Sequence, residues 1–117
     1  LSNLGIVLKE LGEYQKAISC SQKAIQIQPD LESAHLNLGL VFQELGEFKK
    51  SISCFQKAIQ IRPSYIKAHQ NLMEAYEKTN QTRELKSAIS NAQTVIKDNP
   101  IIKLYEGILL SRNEKFV

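Results

Sequence analysis

The chain has 117 residues, of which 43% are hydrophobic, and its 15 basic and 12 acidic side chains leave a formal net charge of +3. This is the make-up of a single ordinary folded, soluble domain. The charges are scattered, with no run of Lys or Arg, which argues against nucleic acid as a partner. No apolar run approaches the length that spans a bilayer, and no basic start followed by an apolar core marks a signal peptide, so no membrane partner is expected.

From the N-terminus the chain repeats itself. Residues 1–31 slide onto 35–65 with 19 of 31 pairs identical, the run Glu10-Leu11-Gly12-Glu13 onto Glu44-Leu45-Gly46-Glu47 among them. Self-similarity at a period of about 20–50 residues marks a solenoid, in which each unit buries its apolar face only against its neighbours. The signal fades further on, and residues 69–99 match 35–65 at five of 31 positions. Whole columns persist at the 34-residue spacing: Leu4, Leu38, Leu72; Leu8, Phe42, Tyr76, Leu110; Ala24, Ala58, Ala92; Ile27, Ile61, Val95. They divide the chain into units 1–31 (lacking its first three residues), 32–65, 66–99 and a truncated 100–117. The first residue is Leu, and both ends fall inside a unit, so the chain reads as a fragment of a longer protein.

Each unit predicts two helices. In the first, 1–11 and 14–27 are separated at Gly12 and ended by Pro29. In the second, Leu36, Leu38, Val41, Phe42 and Leu45 share one helical face over 32–45, and Phe48, Ile52, Phe55, Ala58 and Ile59 share another over 48–61. Gly46 supplies a left-handed stop between them, and Pro63 ends the pair. The third unit predicts 66–79 and 82–96, with Asn80 in the glycine's place and Asp98-Asn99-Pro100 as a late break. It lacks both glycines of the pattern and is expected to be less regular. A helix over 101–113 and a stub from 115 follow, with Ile108, Leu109 and Leu110 expected to lack cover. Gly5, Gly39 and Gly107 recur amid large side chains, where helices must approach closely; Met73 takes that place in the third unit.

Helix, glycine, helix, proline in 34 residues resembles the tetratricopeptide repeat, carried in the second unit by Leu38-Gly39, Phe42, Gly46, Phe48, Ala58 and Pro63. The first unit matches at Leu4-Gly5, Leu8, Gly12, Tyr14, Ala17, Ala24 and Pro29. Departures are His35 and His69 where the family favours tryptophan, and Ser51 and Leu85 where it favours alanine. The resemblance implies an all-α, right-handed superhelix of stacked antiparallel helix pairs. It also implies a non-catalytic scaffold that binds an extended peptide in a groove lined by each unit's first helix. Related bacterial proteins carry glycosyl- or sulfotransferase domains, so a substrate-recognition arm of a larger enzyme is the alternative. Self-association through uncapped ends is a third possibility.

Residue chemistry adds little catalysis. His35, His69, Cys20 and Cys54 invite a zinc site, but no close pair such as C-x-x-C occurs, and each is the one-period copy of another. No metal or other cofactor is therefore expected. Packed helices lie about 8–10 Å apart, whereas a disulfide needs Cα atoms within about 7 Å. Both cysteines are thus expected as buried or half-buried thiols, with a lean toward a reducing, cytoplasmic compartment. No G-x-S-x-G, phosphate loop or H-E-x-x-H is present, so no enzyme activity is expected of this segment.

Asn3, Asn37 and Asn71 recur at the period inside three first helices, although asparagine is a mediocre helix former. By the resemblance this column faces the groove, where in the family's glycosyltransferases such asparagines grip a peptide backbone. Rungs about 10 Å apart would match three residues of extended chain. Inheritance of a repeat pattern that no ligand uses fits equally. The resemblance places Lys67, Gln70 and Tyr105 in the same groove, together with Lys9, Leu36, Leu40, Gln43, Glu74, Glu77 and Arg112. Family members that clamp acidic chaperone tails need lysine and asparagine where Ser2 and Ile6 stand, which argues against that clamp.

Overall fold

The computed structural model describes residues 2–96 and 99–115, and of residues 2–9 and 113–115 the backbone alone. Six helices follow one another: α1 Ser2–Ile27, α2 Glu32–Glu44, α3 Phe48–Ile61, α4 Ile66–Lys78, α5 Thr82–Val95 and α6 Pro100–Lys115. The described residues contain no strand.

Two kinds of turn, each repeated, build the array. Within units two and three the helix stops in a left-handed residue, Gly46 at φ 77° and Asn80 at φ 59°. The Glu47 N–H reaches back to the Phe42 carbonyl at 2.8 Å and that of Gly46 to Gln43 at 3.0 Å. One period on, Gln81 bonds Tyr76 at 2.8 Å and Asn80 bonds Glu77 at 3.1 Å. This pair of bonds closes off the last carbonyls of a helix, and so short a turn forces the next helix to run antiparallel. The second turn sits at the prolines: Leu31 N–H bonds Gln28 and Tyr65 N–H bonds Arg62, at 3.2 and 3.0 Å. Each is stapled by a buried histidine, His35 Nε2 to the Pro29 carbonyl (3.0 Å) and His69 Nε2 to that of Pro63 (2.7 Å). A carbonyl only accepts, so Nε2 carries the proton.

The core lies chiefly in units two and three, drawing on Leu36, Phe55, Ala58, Leu72, Met73, Tyr76, Leu85, Ile89 and Ala92, and takes Ile102 from α6. Gly39 lets α2 and α3 approach closely: a Cβ there would lie 2.6 Å from the Phe55 ring, which is itself wholly buried. In the third unit the corresponding pair is Met73 and Ile89, 1% and 4% exposed, so a medium–medium pair replaces the small–large one. That unit is expected to be less regular, yet its helices of 13 and 14 residues equal those of unit two in length.

Unit one departs instead. The expected break at Gly12 is absent, and 2–27 form one helix of 26 residues. The counterpart of Phe55 is Ser21, so Gly5 and Ser21 offer no large side chain to hold a hairpin closed. Cys20, expected to be buried or half-buried, is consequently exposed, while Cys54 is half-buried. α5 ends at Val95, one residue short of the expected 96, and Pro100 opens α6 behind Asn99, whose Oδ1 accepts the Ile101 N–H at 2.9 Å. One further expectation changes. A Cβ at Gly107 would meet nothing within 4 Å, because no second helix lies beyond α6 among the described residues. The helix expected over 101–113 runs on to Lys115, and the rest of the stub lies outside the described residues. Ile108 and Leu109 are half-buried, and Leu110 is 62% exposed.

Candidate peptide groove

Neighbouring first helices approach closely, α2 with α4 and α4 with α6, whereas no Cα of α3 lies within 8 Å of one of α5 among the described residues. The first helices therefore form the inner layer of a curved stack and the second helices fan out on the outer side. Side chains on the free face of α2, α4 and α6 share one surface.

Of the residues expected in the groove, Asn37 and Lys67 are exposed, and Gln70, Asn71 and Tyr105 are half-buried. Tyr105 stands one period after Asn71, so the column of asparagines ends in a phenol. Its ring packs against the core, and burial, then the charges of Glu74 and Glu77, push its hydroxyl above the ordinary phenol range. Asn3 lies in α1, and its side chain is outside the described residues. Among the described residues neither Asn37 nor Asn71 spends its amide on a side-chain hydrogen bond within the chain. Gln43 Oε1, on α2, is buried without a partner among them.

Glu74 and Glu77 are already paired. Lys78 lies 3.1 Å from Glu74, and the largely buried Arg112 guanidinium lies 3.4 Å from Glu77 Oε1. The same Arg112 donates to the Glu77 carbonyl (3.0 Å) and to Thr82 Oγ1 (3.3 Å), fastening α6 to the turn between α4 and α5. Arg112 is thus a structural tie, not a free groove cation. Leu36, expected in the groove, is 4% exposed and belongs to the core. No cluster of three or more potential metal ligands occurs among the described residues.

Sequence reasoning missed an outer cleft of about 430 Å³ where α3 and α5 stand apart, lined by Gln56, Ile59, Tyr76, Arg83, Glu84 and Asn91 with others. Gln56 donates to the Tyr76 hydroxyl across it, at 2.9 Å. No periodicity signals it, since its lining comes from non-equivalent positions of two units.

Paired helices stacked in inner and outer layers define a helical-repeat solenoid. The chain belongs to the tetratricopeptide repeat family, whose sequence profile matches residues 1–64. In three dimensions it is similar to the first tetratricopeptide-repeat domain of Spaghetti (RPAP3) bound to the HSP90 peptide SRMEEVD. That likeness has a TM-score of 0.75 and 19% identity, and covers 96% of this chain and 89% of that one. The corresponding domain of Arabidopsis OM64 aligns with a TM-score of 0.74 and 21% identity, over 92% of this chain and 89% of its own. MamA is 33% identical at a TM-score of 0.67, over 78% of this chain and 53% of its own. No curated protein sequence matches the chain. No helix among the described residues is long and apolar enough to cross a membrane.

Proposed function

We propose that this chain is a non-catalytic scaffold that holds an extended peptide along the inner face of α2, α4 and α6, gripping its backbone rather than its charges. The observation that carries this reading is the pair Asn37 and Asn71. They sit one period apart on neighbouring first helices, accessible and without internal partners among the described residues. An amide donates and accepts at once, as a peptide backbone requires. Lys67 and Gln70 flank the pair and Tyr105 closes the row; Asn3, one period before Asn37, would join it only where residues 2–11 are docked as α2 is on α3. Its units are 1–31, 32–65, 66–99 and 100–117.

The paired charges shape the partner. An acidic tail of the kind bound by the Spaghetti domain would meet Glu74 and Glu77, with Arg112 already engaged and Lys67 alone in reserve. Neutral extended segments are the better fit. The test is calorimetric titration with a peptide selected from a display library. Asn37→Ala and Asn71→Ala should each weaken binding by about 1 kcal/mol, the usual net value of one hydrogen bond. The same substitutions should leave thermal stability unchanged or slightly raised, because alanine is the better helix former. Binding unaffected by both replacements would remove the groove reading and leave the scaffold alone.

A further inference from the structure

The tetrapeptide Glu-Leu-Gly-Glu occurs twice in this chain in two conformations. At 44–47 it bends, with Gly46 at φ 77°; at 10–13 it is plain helix. At 1.5 Å per residue α1 is about 39 Å long and α2 about 20 Å. Among the described residues α1 packs on α2 alone, so its N-terminal turns run past the helix it lies against. Those turns carry Leu4, Val7, Leu8 and Leu11, the counterparts of Leu38, Val41, Phe42 and Leu45, which α2 turns away from solvent. On the other half of α1 the surface such a helix would cover is open: Cys20 is exposed, where its counterpart Cys54 is half-buried, and Ile27 is 85% exposed, where Ile61 is half-buried.

We propose that two copies of this chain exchange residues 2–11, each laying its N-terminal turns across residues 14–27 of the other, so that the straight α1 is the opened arm of a swapped dimer. The occupant is a second copy because the arm and the surface that receives it have the sequences of α2 and α3, whose fit is already built once within this chain. Exchange of identical elements is a low-cost route to a closed, two-fold dimer when the hinge accepts both conformations. Gly12 accepts both: the same residue type is left-handed at Gly46, and in α1 a Cβ at Gly12 would meet nothing within 4 Å.

Unit two supplies the distance for a test. A Cβ at Gly39 would lie 3.1 Å from that of Cys54, so Gly5 and Cys20, one period earlier, come within disulfide reach wherever the arm is docked. Ser21 replaces Phe55 there and leaves room for the new side chain. The variant Gly5→Cys with Cys54→Ser is oxidised and run without reductant, and the bond is mapped by peptide mass. A dimer joined from residue 5 of one copy to residue 20 of the other is expected. A 5–20 bond inside a monomer, or no such bond, would overturn the exchange. Light scattering on the unaltered chain over a concentration series gives an independent reading. A mass reaching twice 13.3 kDa and stopping there is expected; a constant 13.3 kDa, or growth beyond the dimer, would refute it.

Discussion

Single positions in this chain are best understood as pairs across the repeat. Gly39 tolerates nothing larger because the wholly buried Phe55 ring fills the space a Cβ would need. Gly39→Ala should therefore cost about 1–3 kcal/mol in urea unfolding. A second, smaller change at Phe55 should recover part of it, since the two side chains share one volume. Ser51 is the contrasting case. It stands where alanine is usual, fully buried, and its hydroxyl donates to the Phe48 carbonyl of its own helix at 2.9 Å. Ser51→Ala removes a donor whose acceptor keeps its helical partner, so the same measurement should shift by no more than about 0.5 kcal/mol. His35 and His69 were legible only as packing residues. That each would reach six residues back to a proline carbonyl depends on a turn no propensity describes.

Helices two to five were plain in the sequence to within a residue or two, because glycine, asparagine and proline punctuate them with local chemistry. The two left-handed stops differ in residue type but share one geometry, so their replacements should differ in sign. Gly46→Ala should destabilise by about 1 kcal/mol, and Asn80→Gly should be neutral or gain a few tenths, both read by thermal unfolding. Sequence and structure part company where the match between units is strongest. Nineteen identities between units one and two carried over every turn signal but not Phe55, and the hairpin of unit one is open. Unit three kept five identities and remains regular, because Met73 and Ile89 jointly fill what Gly39 and Phe55 fill. Tertiary volume overrode local likeness. The groove was only half legible for a related reason: Asn37 and Asn71 show in the period, whereas the Glu77–Arg112 tie joins non-equivalent positions of different units.

At the scale of the whole molecule, burial holds three acidic groups neutral. It pushes up the Cys54 thiol and the Tyr76 and Tyr105 hydroxyls. Each binds its proton more tightly folded than unfolded. The stability this represents is complete below the unfolded values, about 8.5 for a thiol and 10 for a phenol, and is lost as pH rises through the folded ones. Chemical unfolding should give a flat free energy through neutral pH and a decline beginning above about pH 8.5, first through Cys54 and then through the tyrosines. Cys54→Ala should postpone the onset toward about pH 10.

The curvature of the stack has a mechanical meaning. A bent beam has a neutral axis, the line whose length stays fixed as the rest stretches or compresses, and it lies near the stiffest layer. Here α2, α4 and α6 meet directly on the inner side, while the cleft between α3 and α5 leaves the outer side open, so that line is expected toward the inner side. Flexing of the array should then open or close the outer cleft more than it changes the spacing from Asn37 to Asn71. The two asparagines should keep their pitch while the scaffold around them bends, like the graduations of a ruler scribed on a spring's unstrained fibre.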